Sequence, residues 1–191
     1  MMRAANRTLG LLLVTLFGLT VVSPVIAAPH RPPSKPPKKT ETEDKAKPVQ
    51  VGTFGDWGAF VAESAKEKTC YALAQPKDRE PAKLKRDPAY IFISTRPSEN
   101  IRNEVSVIMG FEMKDGGDAE AEIGSDTFDL VSKGKNAWVK NVAKEGELIA
   151  AMKHGHELIV KAASVKGKIT TDTYSLSGLT QALERIKKEC R

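Results

Sequence analysis

The sequence predicts a mainly β fold, an antiparallel β-sandwich or partly open barrel with two short helices, the C-terminal helix tied by a disulfide to an early strand. Three observations predict it. Short alternating or apolar runs recur from residue 51 onward, and Gly, Asn and Asp turn signals separate them, which favours local antiparallel pairing. Only two segments carry helical periodicity. The chain holds just two cysteines, Cys70 and Cys190, in a context that favours their oxidation.

Strands are expected at residues 57–62 and 69–74, where Cys70, Ala72 and Ala74 share one face. Residues 89–95, AYIFIST, form a continuous β-branched and aromatic run, the pattern of a central strand buried on both faces. Arg96-Pro97 ends it, because proline donates nothing to a ladder, and Ser98-Glu99-Asn100 continues as a turn. Residues 104–111 alternate, with Val105, Val107, Met109 and Phe111 on one face. Further strands are expected at 119–123, 127–131, 137–140, 157–163 and 168–174.

Of the two helices, the first starts at Asn141 as N-cap, carries Glu145 and Glu147 at its positive end, and stops at Lys153, His154 and Gly155. Leu148, Ile149 and Met152 give it a narrow apolar stripe. The second begins near Ser177 and places Leu179, Ala182, Leu183, Ile186 and Cys190 on one face, opposite Glu184, Arg185, Lys187 and Lys188. Its cysteine therefore points inward, toward the small-residue bed around Cys70.

The N-terminal residues read as a targeting segment. Arg3 and Arg7 precede an apolar run from Leu9 to Val22, and Val25, Ile26 and Ala27 offer a small-residue exit, so residues 1–27 are expected to be a signal peptide cleaved after Ala27. The alternative is an uncleaved inner-membrane anchor facing the periplasm, since about 18 residues of helix span roughly 27 Å. Residues 28–50 are rich in Pro and Lys and carry almost nothing for a core, so they read as a flexible linker, a solvated spacer with a possible electrostatic contact to anionic envelope polymers. Residues 51–191 form the folded domain. Export places Cys70 and Cys190 in an oxidising compartment, the periplasm, where a pair is normally bridged.

The net charge of +6 is not a nucleic-acid signal. Arg3 and Arg7, with six basic against three acidic side chains in 28–50, leave only +1 for residues 51–191. A nearly balanced exported domain is not expected to bind nucleic acid.

No catalytic, metal or cofactor site is expected. His154 and His156 flank a glycine without zinc-site spacing, and read as solvated imidazoles. Gly124-Ser125-Asp126 lacks a nucleophile elbow and reads as a hairpin turn. Asp115, Asp118, Glu120 and Glu122 include alternating acids on one strand face, which is ordinarily a solvated face rather than a paired-acid site. Trp57, Trp138 and Tyr174 are expected in the core, with glycan or peptide binding as the alternative for an exposed ring. Arg96 reads as a satisfied structural guanidinium rather than an anion contact.

From about Phe54 to its end the chain resembles the invasion associated locus B family of bacterial exported proteins. The resemblance rests on Gly55-Asp56-Trp57, Lys68-Thr69-Cys70-Tyr71, Tyr90-Ile91-Phe92-Ile93-Ser94 with Arg96-Pro97, Asn103-Glu104-Val105-Ser106, and Thr171-Asp172-Thr173-Tyr174-Ser175-Leu176 with Gly178. It implies a periplasmic, mostly β domain, associated in some pathogens with entry into host cells, and no established catalytic residues. Relatives can have additional cysteines; this chain has two. The expected function is a noncatalytic periplasmic or envelope-associated binding module with an unknown protein or envelope partner. The alternatives are a hydrolase or metal-dependent enzyme acting on envelope material, and a passive tethered structural protein.

Overall fold

A computed structural model describes residues 47–191. The expected signal peptide, and the expected linker up to residue 46, lie outside the described residues. Eleven strands form one antiparallel sheet: β1 (Val49–Phe54), β2 (Trp57–Glu63), β3 (Lys68–Ala74), β4 (Asp78–Glu80), β5 (Tyr90–Arg96), β6 (Ile101–Ile108), β7 (Asp118–Ile123), β8 (Asp126–Lys133), β9 (Asn136–Val139), β10 (Glu157–Ala163) and β11 (Ile169–Ser175). Helices α1 (Glu145–His154) and α2 (Leu179–Glu189) follow β9 and β11. The mainly β class, the antiparallel pairing and both helices are as the sequence predicts.

The sheet order is β1-β2-β3-β5-β6-β9-β8-β7-β10-β11-β4, and it requires curvature. β3 and β4 are consecutive in sequence yet stand eight strand spacings apart, ~38 Å in a flat sheet. The chain from Ala74 to Asp78 reaches at most ~14 Å. The sheet therefore curls until its two ends meet, which is the partly open barrel of the two expected forms. Asp56 N donates to Ser177 O at 3.0 Å and the Trp57 indole Nε1 to Ser175 O at 3.0 Å across this seam, while Lys77 N, donating to Thr173 O at 2.7 Å, extends the β4–β11 ladder.

One face of the curl is the core. Alternation puts Trp57, Ala59 and Val61 of β2 inside with Cys70, Ala72 and Ala74 of β3, Ile91 and Ile93 of β5, and Val105 and Val107 of β6. The inward residues of β7 to β11 join the same cluster, as do Leu148, Ile149 and Met152 of α1 and Leu179, Ala182, Leu183 and Ile186 of α2. α2 lies against β1, β2 and β3. Cys70 and Cys190 are bonded, with Cα atoms 6.0 Å apart, so the disulfide and the inward face of α2 stand where the sequence places them. On the outer face Phe60, Tyr71, Phe92 and Tyr90 form a row of rings across β2, β3 and β5.

Several boundaries are corrected. β1 starts at Val49, inside the expected linker, because Val49 and Gln50 find partners in Val61 and Phe60. The strand expected at 104–111 runs instead from Ile101 to Ile108: Gly110 takes φ +75, which ends the extended run, although Met109 is buried as expected. Asn141 accepts from Ala143 N at 3.1 Å, but what it caps is a 3-10 turn, Val142–Lys144, that leads into α1. β4 was not anticipated, since Asp-Arg-Glu offers no apolar alternation.

Candidate functional site

The acids and histidines singled out in the sequence do not converge. Asp118 and Glu120 are exposed and Glu122 half-buried, on the outer face of β7, while Ala119, Ala121 and Ile123 point inward. Glu122 pairs with Lys161 at 2.6 Å and Asp118 with Lys140 at 3.0 Å. Asp115 accepts from Gly134 N at 2.8 Å. His154 and His156 are exposed at the end of α1. Among the described residues, no group of three or more His, Cys, Asp or Glu side chains is placed to hold a metal ion. Gly124 turns with φ +59 between β7 and β8, the hairpin expected around Ser125.

Arg96 sits at the end of β5 and donates to Glu99 and Glu104, both at 2.9 Å, a structural guanidinium that braces the β5–β6 turn. Trp57 and Tyr174 are wholly buried, whereas Trp138 is half-buried.

Two arrangements escaped the sequence reading. The first is an ionic cluster inside the curl. Asp172 on β11 is fully buried and accepts from Arg86 Nη1 at 2.6 Å and from Arg79 Nε at 3.3 Å. Arg79 also donates to the carbonyls of Asp87 and Met109, each at 2.9 Å, and Arg86 to that of Glu80 at 3.3 Å. The cluster thus sews β4 and residues 81–89 onto the sheet. The Tyr174 hydroxyl, two residues along from Asp172, has no hydrogen-bond partner, and burial together with the Asp172 charge drives its pKa far up. A signal existed: Asp172 alternates in phase with Thr170 and Tyr174, so an inward carboxylate required a cation.

The second is a cleft where β6 outruns its neighbour. β9 pairs with β6 only over Ser106–Ile108, so residues 101–105 have no strand on that flank. The N-terminus of α1 fills part of the gap: Glu145 Oε1 accepts from Val105 N at 2.6 Å, taking a ladder donor that β9 does not reach. Burial raises the Glu145 pKa, the Val105 N–H opposes the rise, and the nearby Glu104 charge adds to it.

Around these carboxylates lies a cavity of about 420 Å³, lined by Asn100, Ile101, Arg102, Trp138, Val139 and Val142 as well as Glu104 and Glu145. Val142, 75% exposed, projects at its rim. Asn100 and Asn103 hold φ of +56 and +57, a left-handed conformation uncommon outside glycine, at the turn that shapes one wall. Arg96 already holds Glu104 and Arg102 lines the same cavity, so Glu145 is the carboxylate there without an ion pair among the described residues, and its place beside apolar surface suits a ligand carrying both an apolar group and a cation.

Among the described residues, no helix is long and apolar enough to cross a membrane. The sequence pattern of one protein family, described as Invasion associated locus B (IalB) protein, matches residues 57–187, and so covers the sheet from β2 onward, α1, all but the last two residues of α2, and the cleft. No curated protein and no solved structure matches the chain.

Proposed function

We propose that this chain, which belongs to the invasion associated locus B (IalB) family of exported bacterial proteins, is a noncatalytic binding module of the periplasm or envelope that takes a segment of a protein partner into the Trp138 cleft. The observation that carries this reading is the half-buried Trp138 and exposed Val142 beside a strand flank that no other strand covers. A partner segment that places an apolar side chain on Trp138 and Val142 sets a Lys or Arg beside Glu145, since Glu104 is already held by Arg96.

A photoreactive residue in place of Trp138, activated in intact cells, tests the reading. One discrete adduct is expected, abolished by Val142→Asp, with the partner's crosslinked peptide containing Lys or Arg. No adduct, or one indifferent to Val142→Asp, overturns it. A contribution to host-cell invasion belongs to the same proposal and is read by comparing entry of bacteria producing the native chain and the Val142→Asp variant. Equal entry removes that role.

A further inference from the structure

A second cleft adjoins the first at Arg102, which lines both, and lies between the β5–β6 turn, the end of α1 and the exposed face of α2, with a volume of about 420 Å³. Arg102, Lys153 and Lys187 line it, against one acid, Glu184. Among the described residues none of these three cations is ion-paired. Some exposed lysines elsewhere are paired, as Lys77 is with Asp56 and Lys140 with Asp118, and others such as Lys66, Lys114 and Lys166 are not, among the described residues; what sets Arg102, Lys153 and Lys187 apart is that they line one concavity. Lys187, with Lys188 and Arg191, also borders an adjoining depression of about 390 Å³, which extends the positive surface. Like charges around a concavity repel one another and focus a positive potential into it, a cost that a bound anion reverses.

Neutral donors complete the lining. Thr95, 5% exposed, accepts from Asn103 N at 3.4 Å, which leaves its hydroxyl proton free to donate, and Thr180 stands at the start of α2. The disulfide holds these parts together: Cys190 lines the cleft and is bonded to Cys70, which faces Thr95 across the β3–β5 ladder. The domain's near-neutral total thus conceals a local excess of positive charge.

We propose that this cleft binds a phosphate group borne on a small polyol, either as a soluble phosphate ester or as the headgroup of an anionic lipid. Three cations from three separate elements meet the spread negative charge of a phosphate better than a single carboxylate, and charge-assisted hydrogen bonds are about twice as strong as neutral ones. The volume exceeds that of bare phosphate and admits a glycerol-sized group.

The test titrates protein purified from cells producing the full chain with glycerol 3-phosphate, followed by amide chemical shifts, and measures sedimentation with phosphatidylglycerol and phosphatidylcholine vesicles. Saturable shifts at Thr95, Asn103 and Thr180 are expected, weakened roughly tenfold or more in Lys153→Gln/Lys187→Gln. A Lys144→Gln/Lys166→Gln control, which removes equal charge elsewhere and leaves the Lys-rich N-terminal segment intact, is expected to bind as the native chain does. Vesicle binding lost in the cleft variant identifies the lipid source, and binding of the soluble ester alone identifies the free one. Binding of neither probe, or equal weakening in the control, overturns the proposal. Arg102 is the one lining residue it shares with the Trp138 cleft, and Val142→Asp is expected to leave binding of both probes unchanged.

Discussion

Asp172 and Arg86 lie 86 residues apart in the chain and meet inside the curled sheet at 2.6 Å, with 0% and 3% of their side chains exposed. Arg79 approaches the same carboxylate from β4, so one acid holds the edge strand and the segment after it. Breaking a buried pair from one side is costly because it strands the other charge. Asp172→Ala is therefore expected to lower the unfolding free energy by about 3–5 kcal/mol, measured by urea denaturation. A loss below about 1 kcal/mol means that Arg79 and Arg86 find water when the acid is removed.

The Cys70–Cys190 bond closes a loop with a sequence separation of 120 residues. The chain-entropy account gives roughly 4 to 5 kcal/mol for a loop of this length, as an upper bound. A Cys70→Ser/Cys190→Ser double variant is expected to keep the β-rich far-ultraviolet spectrum while its denaturation midpoint falls. Since α2 packs through Leu179, Ala182, Leu183 and Ile186, faster amide exchange is expected first at its C-terminal end. Uniform acceleration over the whole sheet contradicts that assignment.

Glu145 contributes a defined pH dependence. Burial first, and the Glu104 charge second, hold its carboxyl above the ordinary value of 4.5. The folded state then binds more protons than the unfolded chain in the window just above pH 4.5, so stability from this group declines as pH rises through that window. Above it the ionised carboxylate remains a net cost. Glu145→Gln keeps an oxygen for Val105 N–H and removes the charge, so this descending component is expected to vanish from denaturation midpoints recorded from pH 4.5 upward. An unchanged slope places the dependence on another group.

Much of the architecture was legible because it is local. A pleated strand must alternate, which exposed the inward faces of β3, β6 and β7 in the residue pattern itself. The helical spacing of Leu179, Ala182, Leu183, Ile186 and Cys190 marked the buried side of α2 in the same way. The candidate sites were not legible. Trp138 read as a core residue, Lys153 as a charge at a helix end and Lys187 as part of a solvated helix face, while Arg102 drew no reading, because 51 and 34 positions separate the members of that basic set in the sequence.

By itself the sequence determined the β class, the turns and which side of the well-patterned elements faces inward, since these follow from backbone geometry and composition over a few residues, and the pairing of its two cysteines, since there is only one way to pair two. Only the tertiary structure decided the order of the strands, the closure that places β4 beside β11, the union of Arg79 and Arg86 with Asp172, and the seating of Glu145 on Val105. The physical reason is that periodicity encodes a direction but not a neighbour. A charge finds its partner only after the sheet has curled, and a strand flank becomes a cleft only when the adjacent strand proves too short to cover it.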